Sequence, residues 1–247
     1  MKLQRIIGMQ NILRTAATCM TELVFKRAIG KLDTESARAI YRPWSQNTIQ
    51  NLGGKIIQEG VAPLQEPCLY VGNHMSYLDI PLLWAITECV FVSKESVRYW
   101  PIIGTAAMAV NTIFVSRDSK ESRGKALNKI AEAIHEQKKR IAIFPEGTSS
   151  LEGKKWRYGA FRIAEEFKIP VQPFRLFYSP SRDASYIDQD LLLTQVWKLA
   201  SHPKFEARIK FFDREMITHA ETDCQRIQDM IQADQRDCLE QEKMGNH

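Results

Sequence analysis

From residue 67 onward, short apolar runs alternate with stretches whose apolar positions recur at steps of three and four. The runs predict strands over 68–72, 90–93, 112–116, 140–144, 170–177 and 205–212; the stepped stretches predict helices over 80–88, 121–137 and 157–167. Strand–helix alternation implies an α/β fold, a central largely parallel sheet flanked by helices. Upstream, Leu3, Ile6, Ile7, Leu13, Ala17, Met20, Leu23, Val24 and Ala28 mark an N-terminal amphipathic helix over 2–30. Lys2, Arg5, Arg14, Lys26, Arg27 and Lys31 give it a basic flank. Such a helix either lies in a membrane interface or packs on the core. A second helical segment starts near Thr34 and is expected to break at Pro43. Gly53-Gly54 and Gly60–Pro63 read as turns. The tail over 216–242 has sparse apolar positions and reads as a surface helix with a frayed end. The chain therefore divides into an N-terminal amphipathic helical segment (1–45), a strand–helix domain (46–215) and a C-terminal helical tail (216–247).

Composition narrows the classes. A chain of 247 residues with 44% hydrophobic content suits one domain with extensions. The net charge of +5 fits an anionic partner or a solvated basic surface about equally well. The basic residues are dispersed and form no recognised nucleic-acid motif, so no nucleic-acid partner is expected. Five scattered cysteines without a CxxC pair argue against a disulfide framework and against a metal site. They read as reduced thiols facing the cytoplasm. The charge-free stretch Tyr99–Ser116 sits at the short end of the ~17–25 residues that span a bilayer. Pro101, Gly104, Asn111 and Thr112 break it into a loop, a short helix and a strand.

Candidate chemistry gathers where two predicted strands stop. Asn73-His74-Met75-Ser76-Tyr77-Leu78-Asp79 follows the first, and Phe144-Pro145-Glu146-Gly147-Thr148-Ser149 ends the fourth. In open α/β sheets ligands bind at the carboxyl ends of strands. A histidine titrates near neutral pH and serves as a general base. A carboxylate on its second ring nitrogen would fix the tautomer and stabilise the imidazolium. Five residues is too far for an i, i+4 pair, so His74 belongs in a loop and Asp79 at the start of the next helix. Pro81 supports that, because proline is tolerated in a first helical turn. The bland alternative is that Asp79 or Ser76 only caps the helix.

The motif series continues with Lys94 and Arg117 around the long apolar stretch, with Val97 and Gly104 between them, and with Ile169-Pro170-Val171-x-Pro173 after the glutamate. In this order and spacing the set resembles the glycerolipid (lysophospholipid) acyltransferase family, strongly over 68–173. The resemblance implies acyl transfer from an acyl thioester, on coenzyme A or acyl carrier protein, to the free hydroxyl of a lysolipid such as 1-acylglycerol-3-phosphate. It implies that His74 and Asp79 form a general-base pair and that no covalent acyl-enzyme forms. Ser76 is then not a nucleophile, and the chain has no GxSxG elbow. Asn73, Gly104, Glu146, Gly147 and Thr148 would shape the substrate site, and Lys94 and Arg117 would hold an acceptor phosphate. No cofactor is implied beyond the thioester co-substrate. The expected location is peripheral, on the cytoplasmic face of the inner or plasma membrane, with the bilayer, the lysolipid and the acyl carrier as partners.

One departure bears on the acceptor. Phosphatidate-forming members of the family usually have arginine after Glu-Gly-Thr, and here the residue is Ser149. Arginine suits bidentate phosphate recognition and serine does not. Either Lys154, Lys155 or Arg157 supplies that charge, or the acceptor is another lysolipid, one with a headgroup or lyso-ornithine lipid. A P-loop over Gly147–Lys155 is excluded by its spacing, with lysine where a magnesium-binding Ser or Thr belongs. From outside enzyme chemistry, the competing reading is a lipid-binding protein that uses the same cleft without catalysis.

Overall fold

A computed structural model describes residues 2–31, 33–100, 103–116, 120–151, 153–181 and 205–245. In chain order its elements are α1 (Lys2–Ala28), α2 (Thr34–Asn51), β1 (Gly54–Gly60), β2 (Leu69–Gly72), α3 (Asp79–Thr87) and β3 (Val90–Lys94). A 3₁₀ turn (Glu95–Tyr99), α4 (Ile103–Ala109), β4 (Ile113–Val115), α5 (Lys120–His135) and β5 (Ile141–Ile143) follow. The last are α6 (Gly159–Phe167), β6 (Pro170–Ser179), β7 (Phe205–Phe211), β8 (Glu215–Met216) and α7 (Ala220–Gly245).

Eight strands form one sheet in the order β1-β7-β6-β2-β5-β3-β4, with β8 added on β6. The β6, β2, β5, β3 and β4 neighbours pair in parallel. β7 runs antiparallel to β6 and carries β1 parallel to itself, so the sheet is mostly parallel. All four residues of β2 are buried, as a central strand covered on both faces must be. Successive side chains of a strand leave on opposite faces. Tyr70 belongs to the core cluster that holds Leu82, Leu83 and Trp84 of α3, whereas Leu69 and Val71 belong to the cluster on the other face with Ile134 of α5 and Phe161 of α6. Leu82 and Leu83 are fully buried, each worth about 1.5–3 kcal/mol. The neighbours β2 and β5 are thus followed by helices on opposite faces. That opens a crevice at their carboxyl ends, the topological switch point of the sheet.

Three features differ from the expectations. α2 runs unbroken through Pro43. Pro43 and Ala39, whose carbonyl loses a partner, are both on the exposed side. Water can serve that carbonyl while Ala37, Ile40, Tyr41 and Ile49 bury the opposite face. β1 fills the span between two glycine turns and pairs with β7. The tail helix α7 is not a surface appendage: Ile227 and Ile231 are fully buried and its Asp234 accepts from Arg175 at 2.7 Å. Arg175, 2% exposed, also donates to Glu59 at 2.7 Å, so one guanidinium ties β6 to β1 and α7. In α1, Cys19 and Leu23 join the core while Val24 and Phe25, with Ile29 in the turn that follows, face outward beside Lys26 and Arg27. The side chains of Leu3, Ile6, Ile7 and Leu13 lie outside the described ones. No described helix is long and apolar enough to cross a membrane.

Candidate active site

Asp79 opens α3 at the mouth of the crevice and is completely buried. Its Oδ2 sits 2.6 Å from Nδ1 of His74 and accepts from the backbone N–H groups of Met75 (2.7 Å) and Ser76 (3.0 Å). Its Oδ1 accepts from the Tyr178 hydroxyl at 2.7 Å. The carboxylate therefore reaches back into the preceding loop instead of capping its own helix, which makes no side-chain cap bond. Four donors on one buried carboxylate hold the imidazole in one orientation. With Nδ1 committed to Asp79, the tautomer leaves Nε2 as the acceptor. His74 is 22% exposed and stacks on Phe144, centroids 4.3 Å apart at 19°. Phe144 thereby brings the end of β5 against the end of β2.

Glu146 follows from that end of β5 and is 5% exposed. Its Oε2 accepts from Ser150 Oγ (2.8 Å) and from the Lys154 N–H (3.3 Å), and its Oε1 from the Trp156 indole (3.4 Å). Burial pushes its pKa above the ordinary carboxylate range, and the three donors and His74 oppose that rise. Ser150 N donates to the His74 carbonyl at 2.8 Å and stitches the two motifs together. Gly147 turns the chain at φ 74°, a conformation that disfavours any side chain.

The other predicted site residues fall into three groups. Asn73 is 2% exposed, and its amide is engaged: Oδ1 accepts from Leu176 N at 2.7 Å and Nδ2 donates to Leu176 O at 2.9 Å. It fastens β2 to β6 beneath the histidine. Gly104 lets α4 close on the 3₁₀ turn, since a Cβ there would come 2.2 Å from the Arg98 carbonyl. Lys94 is exposed at the carboxyl end of β3, on the same sheet edge as His74. Thr148, Lys154 and Lys155 are exposed and Ser149 half-buried on the glutamate loop. Arg117 lies outside the described residues. Sequence reasoning missed Tyr178, Ser150 and Trp156. Tyr178 comes from β6, and burial together with the Asp79 charge raises its pKa well above the ordinary value, so it stays a donor.

Ser76 and the thiols are shut away from the crevice. Ser76 is fully buried. All five cysteines are buried, and burial pushes the Cys68 and Cys89 thiols up to about 12.

This geometry agrees with the comparisons. The sequence profile described as Acyltransferase matches residues 53–176, a span that holds both motifs. The chain belongs to this acyltransferase family. It is 33% identical to a lyso-ornithine lipid O-acyltransferase of Pseudomonas aeruginosa over 188 residues, 73% of this chain and 71% of that protein. It is 32% identical over 115 residues to a 1-acyl-sn-glycerol-3-phosphate acyltransferase of Saccharomyces cerevisiae, 44% of this chain and 38% of that protein. The crystal structure of the 1-acyl-sn-glycerophosphate acyltransferase PlsC from Thermotoga maritima superposes with a TM-score of 0.71. It covers 96% of this chain and 97% of its own, at 18% identity. At that identity the superposition establishes the shared mostly parallel fold of this acyltransferase.

Proposed function

We propose that this acyltransferase moves a fatty acyl group from an acyl thioester, on coenzyme A or acyl carrier protein, to the free hydroxyl of a lysolipid. The observation that carries the reading is the 2.6 Å contact between His74 Nδ1 and a saturated, buried Asp79. His74 Nε2 takes the hydroxyl proton as the oxygen attacks the thioester carbon. The new C–O bond forms, the C–S bond breaks, and the proton passes from the imidazolium to the departing thiolate. Asp79 and Tyr178 stabilise the imidazolium through Nδ1. The transfer is direct, with no acyl-enzyme, in keeping with the burial of Ser76 and the cysteines.

Glu146, Gly147 and the loop through Ser149 shape the acceptor side, with Lys94 and Arg117 as the cations for an anionic headgroup. Relatives named for lyso-ornithine lipid and for acylglycerol phosphate bracket the acceptor class. Ser149 favours acceptors other than a terminal phosphate. Val24, Phe25 and Ile29 with Lys26, Arg27 and Lys31 form an apolar–basic surface suited to a peripheral position on an anionic bilayer. A panel of lysolipids offered with labelled acyl-coenzyme A and acyl carrier protein tests this directly. Label should appear in the lipid of at least one pair; thioester turnover with no hydroxyl acceptor would contradict the proposal.

A further inference from the structure

α7 reaches the glutamate half of the cleft with three glutamines spaced i, i+4 and i+7, so that they share one helix face. Gln228, 5% exposed, accepts from Trp156 N–H at 3.0 Å and donates to Lys154 O at 3.1 Å. Lys154 and Trp156 are two of the three residues that donate to Glu146. Gln232 lies against Gly153, close enough that a Cβ there would come 2.9 Å from its Nε2. Gln235, 2% exposed, donates to Leu151 O at 2.6 Å and accepts from Asn73 Nδ2 at 3.4 Å. It therefore touches both the residue before His74 and the loop after Glu146.

We propose that Gln228 and Gln235 are positioning residues for acyl transfer: α7 sets the distance between the histidine and glutamate halves of the cleft by hydrogen-bonding the 151–156 loop and Asn73. This rests on the functional reading of Glu146 above. An amide is the side chain the task requires. It donates and accepts at once, and it brings no charge next to a buried carboxylate. A glutamate at 228 would keep the acceptor for Trp156 but set a carboxylate against the Lys154 carbonyl. A methionine of similar shape would leave both backbone groups unpaired.

Gln228→Met, Gln235→Met and the milder Gln228→Asn, which keeps the amide on a shorter stem, with exposed Gln225→Met as control, carry the test. In wild-type background Gln228→Met and Gln235→Met should lower kcat/KM for the acceptor about tenfold or more, while the thioester KM moves less than about twofold. Gln225→Met should match wild type. In a Glu146→Gln background Gln228→Met should add little, because residues acting as one unit are not additive. An equal loss in both backgrounds, or none in either, overturns the proposal. If Gln228→Met does not fold, Gln228→Asn carries the same comparison.

A second readout needs no turnover. The Trp156 indole N–H resonance, assigned with Trp156→Phe, should follow the titration of Glu146. Displacing its donors should move that midpoint to higher pH in Gln228→Met, and an unmoved midpoint overturns the proposal. If Glu146→Gln matches wild type in transfer while the midpoint moves, the functional reading of Glu146 fails, and the claim on catalysis with it.

Discussion

The histidine's carboxylate takes most of its partners from neighbours in sequence, whereas the loop that supplies Glu146's donors is itself fastened by residues from the far end of the chain. Asp79 draws three of its four partners from Asp79 − 5 onward in the same loop, namely His74, Met75 and Ser76. Glu146 is gripped by a loop that is itself gripped by Gln228 and Gln235 of α7. A locally closed site keeps its geometry as long as its own strand and helix stand. A site held at second hand can be loosened from a distance. On the proposed function, the first arrangement suits a base that must point one way, and the second suits a loop that shapes the acceptor side.

The sharpest way to break the local half is Asp79→Asn. It should lower transfer by about 10²–10⁴-fold, the range a positioned general base contributes, because the amide favours the wrong imidazole tautomer. Full activity in steady-state assays would reduce Asp79 to an architectural residue. Tyr178→Phe should act on the same half more gently. It leaves one buried oxygen of Asp79 without its donor, costing about 1–3 kcal/mol of stability in a denaturant titration, with transfer down about tenfold. A stability loss with unchanged kcat would confine Tyr178 to packing.

How much of this was legible follows the same division. The spacing and Pro81 allowed a His74–Asp79 pair with Asp79 opening a helix but left a plain helix cap equally open, and it was the resemblance of the whole motif series that favoured the pair. β2, β3, β5 and β6 were readable because central strands are continuous apolar runs. β1 was missed. Lys55, Gln58 and Glu59 dilute its pattern, and its partner β7 lies far along the chain. Tyr178, Gln228 and Gln235 left no local signal, because a buried polar residue in a strand or helix looks like an exposed one until the fold supplies its partner. Pro43 misled for the opposite reason: a local rule was outweighed by tertiary packing.

Substitutions outside both halves sharpen the contrast. Val24→Ser, Phe25→Ser and Ile29→Ser together should cut partitioning onto anionic vesicles by more than about tenfold, since apolar side chains withdrawn from water contribute ~1.5–3 kcal/mol each. Turnover of a short-chain, water-soluble lysolipid should stay near wild type. Unchanged vesicle binding in a flotation assay would place the membrane contact elsewhere. The smallest effect is expected at the adaptable half. Ser149→Arg should raise kcat/KM for lysophosphatidate relative to lysolipids with bulkier headgroups by a few-fold, through a charge-assisted fork about twice as strong as a neutral hydrogen bond. An unchanged ratio would move headgroup selection to Lys94 and Arg117.

The central claim is direct transfer driven by His74. It is tested by following a labelled acyl thioester with wild type and with His74→Ala of unchanged circular dichroism and melting temperature. Wild type should carry the label into lysolipid with one thiol released per ester formed and no label retained on quenched protein. His74→Ala should form no lipid product above background. A folded His74→Ala protein that transfers at near-wild-type rate, or a labelled wild-type protein after quenching, would contradict the account.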